Sequence, residues 1–187
     1  MAARLSLSIF TIVFTVALIC SDLRADQKDG RLPALFSRLA EADTKPVAAR
    51  LESQIWGIWL EPPAAPDVTD TLRRGLSAMA LSQLTDALRA FDAIVVKAPE
   101  FAEGWNKRAT IRYILGDYEG SIADIQRTLA LEPRHFGALS GLGLVRLALD
   151  RPADALQAFE AALVIHPFIV DPENIKALRE QVRGRPL

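Results

Sequence analysis

Three prolines, Pro99, Pro133 and Pro167, stand 34 residues apart, and this spacing constrains the fold more than any other feature. Proline lacks an amide N–H and pushes the residue before it out of the helical region, so each one ends a helix. Counting back from the prolines exposes three columns. Twelve residues before them are Ala87, Ser121 and Ala155; eight before are Phe91, Ile125 and Phe159; twenty-four before are Gly75, Ala109 and Gly143. Small residues let two helices approach closely, and a bulky residue four positions beyond a small one shares its face. Between the columns lie breakers at Ser82, at Gly116 and Asp117, and at Asp150, Arg151 and Pro152. The chain therefore reads as all-α, with antiparallel helix pairs stacked at a period of 34 and the bulky column filling the space between neighbouring units.

Counted from Val68, Ala102 and Phe136, the units 68–101, 102–135 and 136–169 resemble the tetratricopeptide repeat family. Its pattern has a bulky residue at position 4, small ones at 8 and 20, an aromatic at 24 and proline at 32. The middle unit carries Trp105, Ala109, Ser121 and Pro133, with Tyr113 nearby; the departures are Thr71 at position 4 of the first unit and Ile125 at position 24 of the second. The resemblance implies a short right-handed TPR solenoid with terminal capping helices. The whole chain is also similar to small exported tetratricopeptide proteins of Gram-negative bacteria.

The flanks complete the architecture. "LPALFSRLAEA" puts Leu32, Leu35, Phe36 and Leu39 on one helical face, and "VAARLESQIWGIWL" gathers Leu51, Ile55, Trp56, Ile58 and Trp59 on another. Extending the frame back to Ala34 puts Ser53 at position 20 and Gly57 at position 24, so residues 31–66 read as a degenerate unit or N-terminal cap ending in the stiff linker "EPPAAP". After the third unit, Asp171, Pro172 and Glu173 form a helix start, and Ile175, Leu178 and Val182 share a face. Residues 171–183 are thus expected to be a capping helix, which covers the apolar side of the last unit. At the other end, Arg4 precedes an apolar run over 5–19, then come Asp22, Arg24 and Ala25. That is the layout of a secretory signal peptide cleaved after Ala25. The alternative is an uncleaved membrane anchor, but the run is shorter than the roughly twenty residues that cross a bilayer. Cys20 is the only cysteine, and Leu18 and Ile19 before it disfavour a lipoprotein. The expectation is a periplasmic monomer without disulfides and without membrane contact once the signal is removed.

A net charge of -1, with no basic cluster, speaks against a nucleic-acid partner. A search for chemistry yields no catalytic residue, metal site or cofactor. His135 and His166 read as turn residues beside the repeat-ending prolines, Gly137, Gly141 and Gly143 as packing glycines, and Asp86, Asp92, Asp117 and Asp124 as exposed or capping carboxylates. Ser140 lacks the glycines and the strand-to-helix turn of a nucleophile elbow. The family resemblance instead implies a concave groove lined by the first helix of each unit. Here that gives Leu72, Arg73, Leu76 and Met79, then Asn106, Lys107, Thr110 and Tyr113, then Ser140, Leu144 and Leu147. Such a mixture suits an extended peptide or a helix with apolar anchors. The family's chaperone-binding members grip a terminal carboxylate with Lys, Asn and Arg; at those places this chain has Leu72, Leu76, Lys107, Gly137 and Gly141, so that clamp is absent. The expected function is a non-catalytic scaffold or adaptor in the cell envelope. The alternatives are a chaperone-like assembly factor and a structural subunit of a larger complex.

Overall fold

A computed structural model describes residues 29–62 and 66–184. The apolar run over 5–19, Cys20, the cleavage position at Ala25 and linker residues 63–65 lie outside the described residues. Among the described residues there are nine helices. They are α1 (Leu32–Ala40), α2 (Lys45–Trp59), α3 (Pro66–Ala80), α4 (Leu84–Lys97), α5 (Ala102–Ile114), α6 (Tyr118–Leu131), α7 (Phe136–Ala148), α8 (Pro152–Ile165) and α9 (Pro172–Arg183). None is long and apolar enough to cross a membrane.

The 34-residue period reappears in the backbone. The residue before each repeat-ending proline leaves the helical region: Ala98, Glu132 and His166 all have φ near -133° with positive ψ. The turn inside each unit is equally regular. Ser82, Gly116 and Asp150 occupy equivalent positions and share positive φ values of 57°, 80° and 55°. Each is followed by an N–H that reaches back five residues, as in Gln83 N to Ala78 O at 2.8 Å and Asp117 N to Arg112 O at 2.9 Å. This closure satisfies the last carbonyls of the preceding helix and reverses the chain.

Within a unit the small and bulky columns meet. A Cβ added to Gly75 would lie 2.9 Å from the Phe91 ring, and one added to Gly143 would lie 2.5 Å from Phe159. The phenylalanines therefore press the far edges of their rings on the glycine of their own unit. Phe91 shares a core with Phe101 and Ile111, and Phe159 with Ile175 and Leu178 of α9. The wedge expected between neighbouring units is thus first a wedge inside each pair. Consecutive units are tied by Arg108, whose guanidinium bonds Asp124 at 2.7 and 2.8 Å and Asp92 of the preceding unit at 3.0 Å. Asp124 is buried in this pair, a correction to its reading as a surface carboxylate.

The N-terminal pair departs from the frame. α1 and α2 pack on each other but do not extend the stack in front of α3; they fold back onto α7, α8 and the residues after α8. The buried faces of Leu32, Phe36, Leu39, Ile55 and Trp59 close over Phe136, with Ile165, Phe168 and Ile169 at the margin. Residues 31–66, read as a degenerate unit or an N-terminal cap, form a helical hairpin that packs on the third unit rather than stacking before the first. Two tryptophans provide much of the contact: Trp56 and Trp59 meet Phe136 at centroid distances of 5.6 and 5.0 Å.

Candidate functional site

The docked hairpin is fixed by polar groups at the starts of α5 and α7. His135 caps α7, its Nδ1 accepting from Ala138 N at 3.0 Å. A backbone N–H can only donate, so the ring proton sits on Nε2, which points at Glu103 Oε2 3.0 Å away. The imidazole is fully buried and stacks on Trp59 at 4.1 Å with an interplanar angle of 10°. His166 repeats the device: Nδ1 accepts from Phe168 N at 3.2 Å, and Nε2 faces Glu52 Oε2 at 3.2 Å. Both histidines are turn residues, as the sequence suggests, but buried ones that join the repeats to each other and to the hairpin. With Trp59 over its face, His135 has no surface to offer a substrate.

Glu103 is the centre of this arrangement. Besides His135 it receives Asn106 Nδ2 at 3.0 Å, and Lys107 Nζ forms a close ion pair with Oε1 at 2.7 Å. Burial works to raise the carboxyl's pKa. The His135 hydrogen bond and the Lys107 charge outweigh it and hold the group below its ordinary value of 4.5. Lys107 also lies 4.8 Å from the Trp56 ring centroid, and that ring fills the space where Gly137 has no Cβ.

These contacts settle where the proposed groove residues stand. Leu72 belongs to the core with Val68, Ala87 and Phe91, so it faces inward rather than into a groove. Asn106 is buried on Glu103, and Lys107 is held by the same carboxylate under Trp56. Leu76 and Met79 lean on the core of the first unit, and Arg73 is an exposed partner of Asp70 at 2.7 Å. At Lys107 helical position alone could not reveal this, because the ring that covers it, Trp56, belongs to the hairpin.

What stays open lies further along. A hollow of about 210 Å³ between α5 and α7 is lined by Thr110, Tyr113, Ser140, Leu144 and Ile169. A second, of about 470 Å³, runs between α7 and α9 and shares Ser140, Leu144 and Ile169 with the first; Leu147, Asn174, Leu178 and Gln181 complete it. Leu144 and Leu147 are 44% and 40% exposed, which is unusual for leucines on a helix otherwise packed on both sides. Thr110 Oγ1 donates to Asn106 O at 3.0 Å within its own helix. The groove thus brings together Asn106, Thr110, Tyr113, Ser140, Leu144 and Leu147 from the sequence-derived set, Asn106 at its buried edge. Ile169, Asn174, Leu178 and Gln181 join them; sequence reasoning gave α9 only a covering role and passed over its second face. Among the described residues no group of acidic, histidine or cysteine side chains could hold a metal ion.

A family model described as a tetratricopeptide repeat matches residues 72–130 and 107–168. A TPR repeat-containing protein of Rhizobium etli is 31% identical over 155 residues, covering 82% of this chain and 76% of its own. The chain belongs to the tetratricopeptide repeat family. Solved structures agree on the fold. The first TPR of Spaghetti (RPAP3), bound to the HSP90 peptide SRMEEVD, superposes with a TM-score of 0.60 at 17% identity, covering 63% of this chain and 94% of that one. MamA gives 0.59 at 24% identity, covering 74% and 78%. The matched residues, 72–168, fall on α3 to α8, and the docked hairpin lies outside them.

Proposed function

We propose that this tetratricopeptide protein is a non-catalytic scaffold that holds a segment of another protein in the groove between α5, α7 and α9. The observation that carries the reading is the pair Leu144 and Leu147, left exposed on the inner helix of the third unit beside the 470 Å³ hollow. Exposed apolar side chains rimmed by polar groups mark contact surfaces. The peptide seated on the RPAP3 domain shows that this fold elsewhere accommodates one. Selection from a displayed random-peptide library gives a direct test. Binders are expected, and Leu147→Asp should abolish their capture while leaving the circular dichroism melt unchanged. Binders indifferent to Leu147→Asp would place the activity on another surface.

The scaffold is proposed to act in the cell envelope as a monomer, on the strength of the apolar run over 5–19 and the small residue at Ala25. Mass spectrometry of the protein expressed in a Gram-negative host is expected to find a chain starting at Asp26. An intact N-terminus in the membrane fraction would support the anchored alternative instead.

A further inference from the structure

The groove residues carry almost no charge, and this decides what can enter. Around both hollows the one lining side chain charged at neutral pH is Asp171, which is already occupied as the N-cap of α9, accepting from Glu173 N at 2.9 Å. The cations next in sequence to the lining residues each face a carboxylate outside it: Lys107 pairs with Glu103, Arg108 and Arg112 with Asp124, and Arg146 with Asp154, while on α9 Lys176 and Arg179 face Glu173 and Glu160. A carboxylate brought into this groove would lose hydration and find no cation to replace it. The remaining polar groups are amides and hydroxyls. Asn174 and Gln181 are exposed on α9, with no bond to another described residue. Seven residues apart, they share a helical face about 10 Å apart. Three residues of extended chain cover about 10 Å. A primary amide both donates and accepts, which matches the alternating N–H and C=O groups of an extended backbone.

Resting on the groove reading above, we propose that the partner segment is an extended, uncharged peptide. Its backbone is gripped by Asn174 and Gln181, and its apolar side chains sit on Leu144 and Leu147. Acidic tails of the kind bound by the RPAP3 domain are rejected, because the groove offers them hydrogen bonds to neutral groups and no positive charge.

Fluorescence anisotropy with the full chain and two labelled heptapeptides tests this. One is SRMEEVD; the other is a capped neutral peptide of alternating leucine and serine or threonine. The neutral peptide should bind at least tenfold more tightly than SRMEEVD. The double variant Asn174→Ala, Gln181→Ala should weaken it at least fivefold without moving the melting temperature, since both side chains are exposed. Leu144→Lys should narrow or invert the preference by adding the missing charge. Equal or tighter binding of SRMEEVD would overturn the specificity while leaving the groove in place, provided Leu147→Asp still displaces it. Failure of the neutral peptide to bind would overturn the proposal, and library-selected binders sensitive to Leu147→Asp would show that the groove itself survives. An unaffected double variant would remove the amide grip.

Discussion

A carboxylate taken out of water keeps its charge only if its neighbours replace the lost hydration, and at Glu103 three of them do. Asn106 and His135 donate to Oε2, while Lys107 supplies a positive charge at 2.7 Å from Oε1. Replacing Glu103 with glutamine keeps the volume but leaves Lys107 without its counter-charge. Glu103→Gln should therefore cost roughly 3 kcal/mol, seen as a lower urea midpoint at neutral pH. The pH dependence follows from the direction of the shift. A carboxyl whose folded pKa lies below 4.5 stabilises the fold above that value and stops doing so as the pH falls through its lower folded value. The wild-type chain should therefore lose stability below about pH 4.5 more steeply than the glutamine variant. Parallel curves would show that the buried charge contributes nothing. Trp56 enters the same balance, because its ring shields the lysine that neutralises the carboxylate.

Two glycines on α7, two residues apart, meet opposite surroundings. At Gly143 an added Cβ would lie 2.5 Å from Phe159, a ring fixed between its own unit and α9. Gly143→Ala should therefore destabilise by about 1–3 kcal/mol. At Gly141 the nearest atom is Ile125 Cδ1 at 3.9 Å, so Gly141→Ala should gain about 0.5–1 kcal/mol from better helix propensity. Thermal melts of the two variants should move in opposite directions; a shift of the same sign would show that Phe159 does not hold α7 in place. The contrast also separates what the sequence reveals from what it hides. Gly75, Gly143, Phe91 and Phe159 were legible because each pair lies within one period, where spacing alone brings the residues together. The docking of α1 and α2 was not, because Glu52 meets His166 across 114 residues, and a local period says nothing about so distant a partner. The apolar faces of Leu32, Ile55 and Trp59 announced burial without naming the surface. The groove residues show the same gap: helical position is enough to leave Leu144 and Leu147 exposed on α7, whereas Lys107 is covered by Trp56 of a hairpin whose destination the sequence does not state.

At the scale of the whole molecule, an array whose units touch only their neighbours can lose them one at a time from its ends. This chain is closed on itself: the hairpin before the first unit is fastened to the third through Glu52 and His166 and Phe36 and Phe136, and to the residue before it through Trp59 and His135. Opening it exposes core on both partners at once. With Trp105 of α5 replaced by phenylalanine, tryptophan emission reports on Trp56 and Trp59 alone, and unfolding followed by it should therefore coincide with unfolding followed by far-ultraviolet circular dichroism. An earlier emission change would show that the hairpin detaches from an intact array. The same closure has a consequence at birth. The ribosome finishes α2 at Trp59 long before it reaches Phe136 and Ile165, against which that hairpin packs. At about 5–20 residues per second, the wait lasts seconds, and through it Leu32, Leu39, Ile55 and Trp59 have no surface to cover them. The newborn chain is thus most prone to wrong associations midway through its synthesis, and it is the last unit made that ends the exposure of the first helices.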